Sequence, residues 1–177
     1  MAVLLNETSN LRLRVELVQR LSDGALRPAS LEMLFAVERY KPITSGLGGE
    51  HRFVPMISIA GKPLLDLDLI QFFEAADALL QNLEGAPPLA SLEASVEPSL
   101  ALRIARGGPE SFLIEVGIDL HALLEPIGEV RSEPGADLAM FRFPATNRGV
   151  VTFFQALLAE FARFPTDPSK VLAGRPD

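Results

Sequence analysis

Hydrophobic and polar residues alternate from Leu11 onward. Leu11, Leu13, Val15 and Leu17 fall on one side, and Arg12, Arg14 and Glu16 on the other. A period of two with one apolar side predicts a half-buried strand. The stretch "SDGALRP" supplies a turn, and Leu31, Met33, Phe35 and Val37 resume the alternation against Glu32 and Glu38. After a loop from Lys41 to Glu50, "RFVPMISIAG" reads as a third strand. Pro55 has no amide hydrogen for a ladder, which places this strand at a sheet edge or in a bulge.

The period then changes. In "DLDLIQFFEAADALLQNLEG", Leu69, Phe72, Phe73, Ala76, Leu79, Leu80 and Leu83 share one helical face, with Asp68, Gln71, Glu74, Asp77 and Gln81 opposite. Asp66 is suited to the N-cap and Gly85 to the stop before "APP". Beyond it, "LEASVEPSLALRIA" predicts a strand broken or bent at Pro98. Phe112, Ile114, Val116 and Ile118 predict another after the "RGGPE" turn, and "DLAMFRFP" a third. The connection "HALLEPIGEVRSEPGA" has room for one helical turn. In the closing helix, "NRGVVTFFQALLAEFARFP", Val150, Phe153, Phe154, Leu157, Leu158, Phe161 and Phe164 form a single apolar face. The tail 166–177 has no period and is expected to be loosely attached.

The expectation is therefore an α+β fold of β-β-β-α-β-β-β-α order. It forms one domain over residues 1–165, with two amphipathic helices on one face of an antiparallel or mixed sheet. "IQFFEA" and "VTFFQA" occupy matching places in the two halves. Two readings stay open: an internal duplication about a pseudo-twofold axis, or two Phe-Phe helices that simply cover a sheet. Six residues are too few to decide a repeat.

Composition narrows the chemistry. With 177 residues, 48% of them hydrophobic, the chain has ample material for a core. It has no cysteine, so disulfides and thiolate chemistry are excluded. No apolar run reaches the roughly 18 residues of a membrane helix, and the start lacks the basic region of a signal peptide, so a cytoplasmic protein is expected. Residues 1–62 hold eight basic and six acidic side chains (+2), and residues 63–177 hold eight and seventeen (−9), which sums to the net −7. Such a balance repels phosphate backbones; no direct nucleic-acid partner is expected, and a basic protein partner is.

The stretch "GLGGEHRF" at 46–53 gathers glycines, an acid, a histidine and an arginine. Its glycines precede a strand and not a helix N-terminus, and no Gly-Lys-Ser/Thr follows, so a chain turn is favoured over a phosphate cradle. A zinc site would need His51 and His121 joined by carboxylates, with no HxH or HxxxH pair to start from. There is no GxSxG elbow, and Asp66 and Asp68 flank a helix start, where capping explains them. No catalytic, metal or cofactor residue is assigned. Tyr40, Glu50, His51 and Arg52 are expected to form a partner-facing patch, since tyrosine and arginine favour contact hot spots.

"VEPSLALRI", the following alternating strand, "DLAMFRFP" and the closing "LLAEFARFP" together resemble WapI-type bacterial immunity proteins. The resemblance spans about residues 50–165 and rests on Glu97-Pro98 with Leu100 and on Phe164-Pro165. It implies a non-enzymatic protein that neutralises a partner toxin, in this case a basic toxin domain, by occlusion. The alternative is an acidic, dimeric adaptor or secretion-chaperone-like protein that holds an extended client segment. An enzyme with a site assembled around His51 or His121 is the third class.

Overall fold

The computed structural model describes residues 1–21, 29–42, 51–81, 88–93, 100–119 and 138–165. The glycine loop through Glu50, Gly85, Glu97-Pro98, His121 with the 120–137 connection, and the tail 166–177 lie outside these residues.

The fold is α+β. Strands β1 (Ala2–Leu5), β2 (Leu11–Leu21), β3 (Ser30–Pro42) and β4 (His51–Leu65) lead into helix α1 (Asp66–Gln81). Strands β5 (Leu89–Glu93), β6 (Leu100–Arg106), β7 (Ser111–Asp119) and β8 (Leu138–Thr146) lead into helix α2 (Asn147–Phe161). Among the described residues the strands form two four-stranded antiparallel sheets, each in sequence order. Two expectations are corrected here: there are two sheets where one was expected, and each half is β-β-β-β-α. The strand expected to be broken or bent is broken, into β5 and β6. Leu89 faces Ala105 and Glu93 faces Ala101, so β5 and β6 run antiparallel to one another. The short first strand of each half carries only two core residues, Ala2 and Leu4 or Ala90 and Leu92, too few to announce a period.

The two halves repeat rung by rung. Ala2 and Leu4 face Val15 and Leu13, which face Phe35 and Val37, which face Ile59 and Ile57. In the second half Ala90 and Leu92 face Ile104 and Leu102, then Ile114 and Val116, then Phe143 and Phe141. The helices, however, are exchanged: α1 lies mainly on β5 of the second sheet, and α2 mainly on β1 of the first. They meet through Phe72 and Phe154, whose ring centroids are 5.1 Å apart, and Phe73 and Phe161 at 5.8 Å. Buried residues of both sheets and both helices make one continuous core.

Arginines close the exchange at both helix ends. Arg106 of β6 donates to the Leu79 carbonyl of α1 at 2.8 Å, and Arg20 of β2 donates to the Phe164 carbonyl just past α2 at 2.5 Å. Cationic donors suit the last carbonyls of a helix, which lack intrahelical partners. Arg20 reaches this place because Val18 is an extra residue in β2: the register shifts between Leu17 and Gln19. Arg20 thereby pairs with Leu31 on the core side, while Gln19 pairs with Glu32 on the wet side. The same Arg20 donates to both Asp66 oxygens at 2.8 Å. Asp66 is only 1% exposed at the start of α1, so one guanidinium ties the beginning of α1 to the end of α2.

Strand β4 is both at a sheet edge and bulged, as Pro55 requires. Glu38 pairs with Pro55 and Val37 with Ile57, leaving Met56 as the extra residue. A second irregularity sets Ala60 and Gly61 opposite Leu34, and Gly61 has φ 78°, in the region glycine tolerates best.

Candidate functional site

Two surfaces can carry contact. The first is one end of the first sheet, where Tyr40 and Arg52 of the expected patch lie. Antiparallel pairing sets Tyr40 beside Phe53 and Lys41 beside Arg52. Directly paired residues share a face and successive ones alternate, so Tyr40 and Arg52 point to opposite faces. Tyr40 is 37% exposed and meets the Phe53 ring edge-on at 5.6 Å. Arg12 stacks its guanidinium on the same Phe53 ring, 4.2 Å from the centroid, and ion-pairs with the buried carboxylate of Glu38. Arg14 approaches that carboxylate at 3.9 Å. His51 opens β4 opposite Pro42, but its side chain, like the whole of Glu50, lies outside the described residues. Arg12, Glu38 and Phe53 are the members that sequence reasoning missed. Period-two counting across β2, β3 and β4 would have found them had the register been known.

The second surface is a groove of about 320 Å3 between α1 and α2, lined by Phe73, Ala76 and Leu80 on one side and Val151, Phe154 and Leu158 on the other. Its polar lining is Asp77, Gln81 and Gln155. The groove exists because each helix carries apolar residues over a wider arc than its sheet can cover. Phe72 and Phe153 are fully buried, while Phe73 reaches Phe161 and Phe154 reaches Phe72 across the two helices. This corrects the single apolar face read for α2: Leu158 leaves the core and is 52% exposed. The sequence signal was the Leu157-Leu158 pair, whose members stand about 100° apart on a helix and cannot both face one sheet.

Helix starts and termini are accounted for by local bonds. The Thr146 side chain accepts from the Gly149 amide at 3.1 Å at the N-cap of α2, and Asp68 accepts from the Leu65 amide at 3.3 Å at the start of α1. Buried Glu160 accepts from the Met1 amino group at 2.6 Å. On the wet face of the second sheet Glu93 pairs with Arg103, and Glu115 with Arg142. Hydrogen bonds from Arg103, and secondarily from Ser91, hold the Glu93 carboxyl below its ordinary range.

Among the described residues no group of three or more His, Asp or Glu side chains is placed to hold a metal ion, and no helix is long and apolar enough to cross a membrane. Comparison with known family models, curated proteins and solved structures finds no match.

Proposed function

We propose that this protein is a non-enzymatic binding protein of the immunity type, which neutralises a toxic partner polypeptide by covering it. The observation that carries the reading is the interhelical groove. An apolar depression at the protein surface, with Leu158 half exposed beside Phe73, offers a place to bury a few of a partner's apolar side chains. The acidic balance of the chain, net −7, suits a basic partner domain and favours rapid encounter with it. The resemblance to WapI-type immunity proteins points the same way.

The groove supports this reading over that of an adaptor holding an extended client in the same place. A client strand needs backbone partners along its length, whereas the groove walls are helices whose backbone groups are already spent. Co-expression with the toxin-like product encoded beside it tests the proposal. The wild-type chain should restore growth, and Leu158→Arg should protect poorly while folding normally. A chain that protects against no neighbouring product removes the immunity reading.

A further inference from the structure

Resting on the binding role just proposed, we infer that the groove between α1 and α2 takes an amphipathic helix with basic flanks from the partner. The lining spans Phe73 to Gln81 on α1 and Val151 to Leu158 on α2. Eight or nine residues at 1.5 Å per residue make a trough of about 12 Å, which matches two turns of a third helix with anchors at i, i+3 or i+4, and i+7. A helix satisfies its own backbone, so it can lie on apolar side chains without leaving amides unpaired. An extended segment cannot.

Charge decides which helix. Among the described residues Asp77 is the only charged one in the lining; Glu74 stands exposed one turn before it on α1, and Arg148 stands exposed one turn before Val151 on α2. Asp77 is held in place by the Gln81 side-chain amide at 2.6 Å. Helix α1 contains no lysine or arginine between Asp66 and Gln81. A visiting helix with lysines or arginines beside its apolar stripe would set them along this acidic rim, whereas acidic flanks would meet like charge in a partly desolvated place. A second copy of this chain is the poorer occupant. Twofold contact through the groove would bring two copies of Asp77 together, between molecules that each carry −7.

Two synthetic 18-residue amphipathic helices, one of leucine and lysine and one of leucine and glutamate, test this by calorimetric titration of the full chain near physiological salt. The lysine peptide should bind one to one, about tenfold or more tightly than the glutamate peptide. Leu158→Arg and Asp77→Lys should each weaken it about tenfold, with unchanged thermal melting. Glu16→Lys, the same charge change on the wet face of the first sheet, should leave it unaltered. The inference falls if the two peptides bind alike, if neither binds, or if Glu16→Lys weakens binding as much as Asp77→Lys. It also falls if sedimentation shows a dimer that Leu158→Arg dissolves, which would make a second copy the occupant. Protection by both the wild type and Leu158→Arg in the growth assay would overturn the groove and leave the immunity reading standing.

Discussion

At the scale of single residues, Arg20 holds more of the molecule together than any other charged side chain described. Its guanidinium serves the buried Asp66 carboxylate and the Phe164 carbonyl at once. Removing one member of a buried ion pair costs roughly 3–5 kcal/mol because the other charge is stranded. Arg20 is 28% exposed, so water repays part of that. Arg20→Ala should therefore destabilise the fold by about 2–3 kcal/mol in urea titrations, while Arg103→Gln on the wet face should cost under about 1 kcal/mol. The Glu93–Arg103 pair has a different signature. A carboxyl held below its ordinary value of 4.5 adds stability above that pH and loses it as pH falls through the lowered pKa. In Arg103→Gln the Glu93 carboxyl should titrate back toward its ordinary range by NMR, and the small loss of stability on acidification should shrink with it. Neither Arg20 nor its partners was legible in the sequence. The pattern of β2 puts Arg12 and Arg14 on the wet side, and an unbroken period of two would have put Arg20 there as well.

At the scale of elements, the long strands and both helices were legible because each repeats its period several times. Leu11 to Leu17, Leu31 to Val37 and Phe112 to Ile118 alternate over seven residues each, and the buried sets match those positions closely. Pro55 correctly marked β4, since a residue without an amide hydrogen has few other places in a sheet. The strands β1 and β5 were illegible for want of length. The bulge at Val18 was illegible because one extra residue changes no composition, only the side to which everything after it points. That gives a sharp test of the element. Deleting Val18 should remove the bulge yet leave Gln19 opposite Glu32 on the wet face and Arg20 opposite Leu31 on the core side, with its contacts to Asp66 and Phe164 intact. The expected loss in urea titrations is smaller than that of Arg20→Ala, and a deletion variant as unstable as Arg20→Ala would show that Val18 is not simply an extra residue in the ladder. The groove was the other blind spot. A helical face is drawn from one helix at a time, and Leu158 or Phe73 becomes a wall only beside the partner helix.

At the scale of the whole molecule, the exchange of helices makes one core out of two like halves. Each sheet is roofed mainly by the helix that follows the other sheet, and Phe72 and Phe154 join the roofs. Neither half buries its strands alone, so unfolding should be a single cooperative transition. Phe72→Ala and Phe153→Ala, each about 3–5 kcal/mol in cost, should lower that one transition, and two separated transitions in either variant would contradict the shared core. The same arrangement explains where a partner can be received. Pairing two roofs side by side leaves a trough between them, and the rim of that trough carries acid. The most direct test of this account is amide hydrogen exchange of the protein bound to the toxic partner proposed for it, compared with the free chain. Slowed exchange concentrated in residues 73–81 and 151–158 is the expected footprint. Unchanged exchange there, with protection instead at residues 40–42 and 51–53, would contradict it.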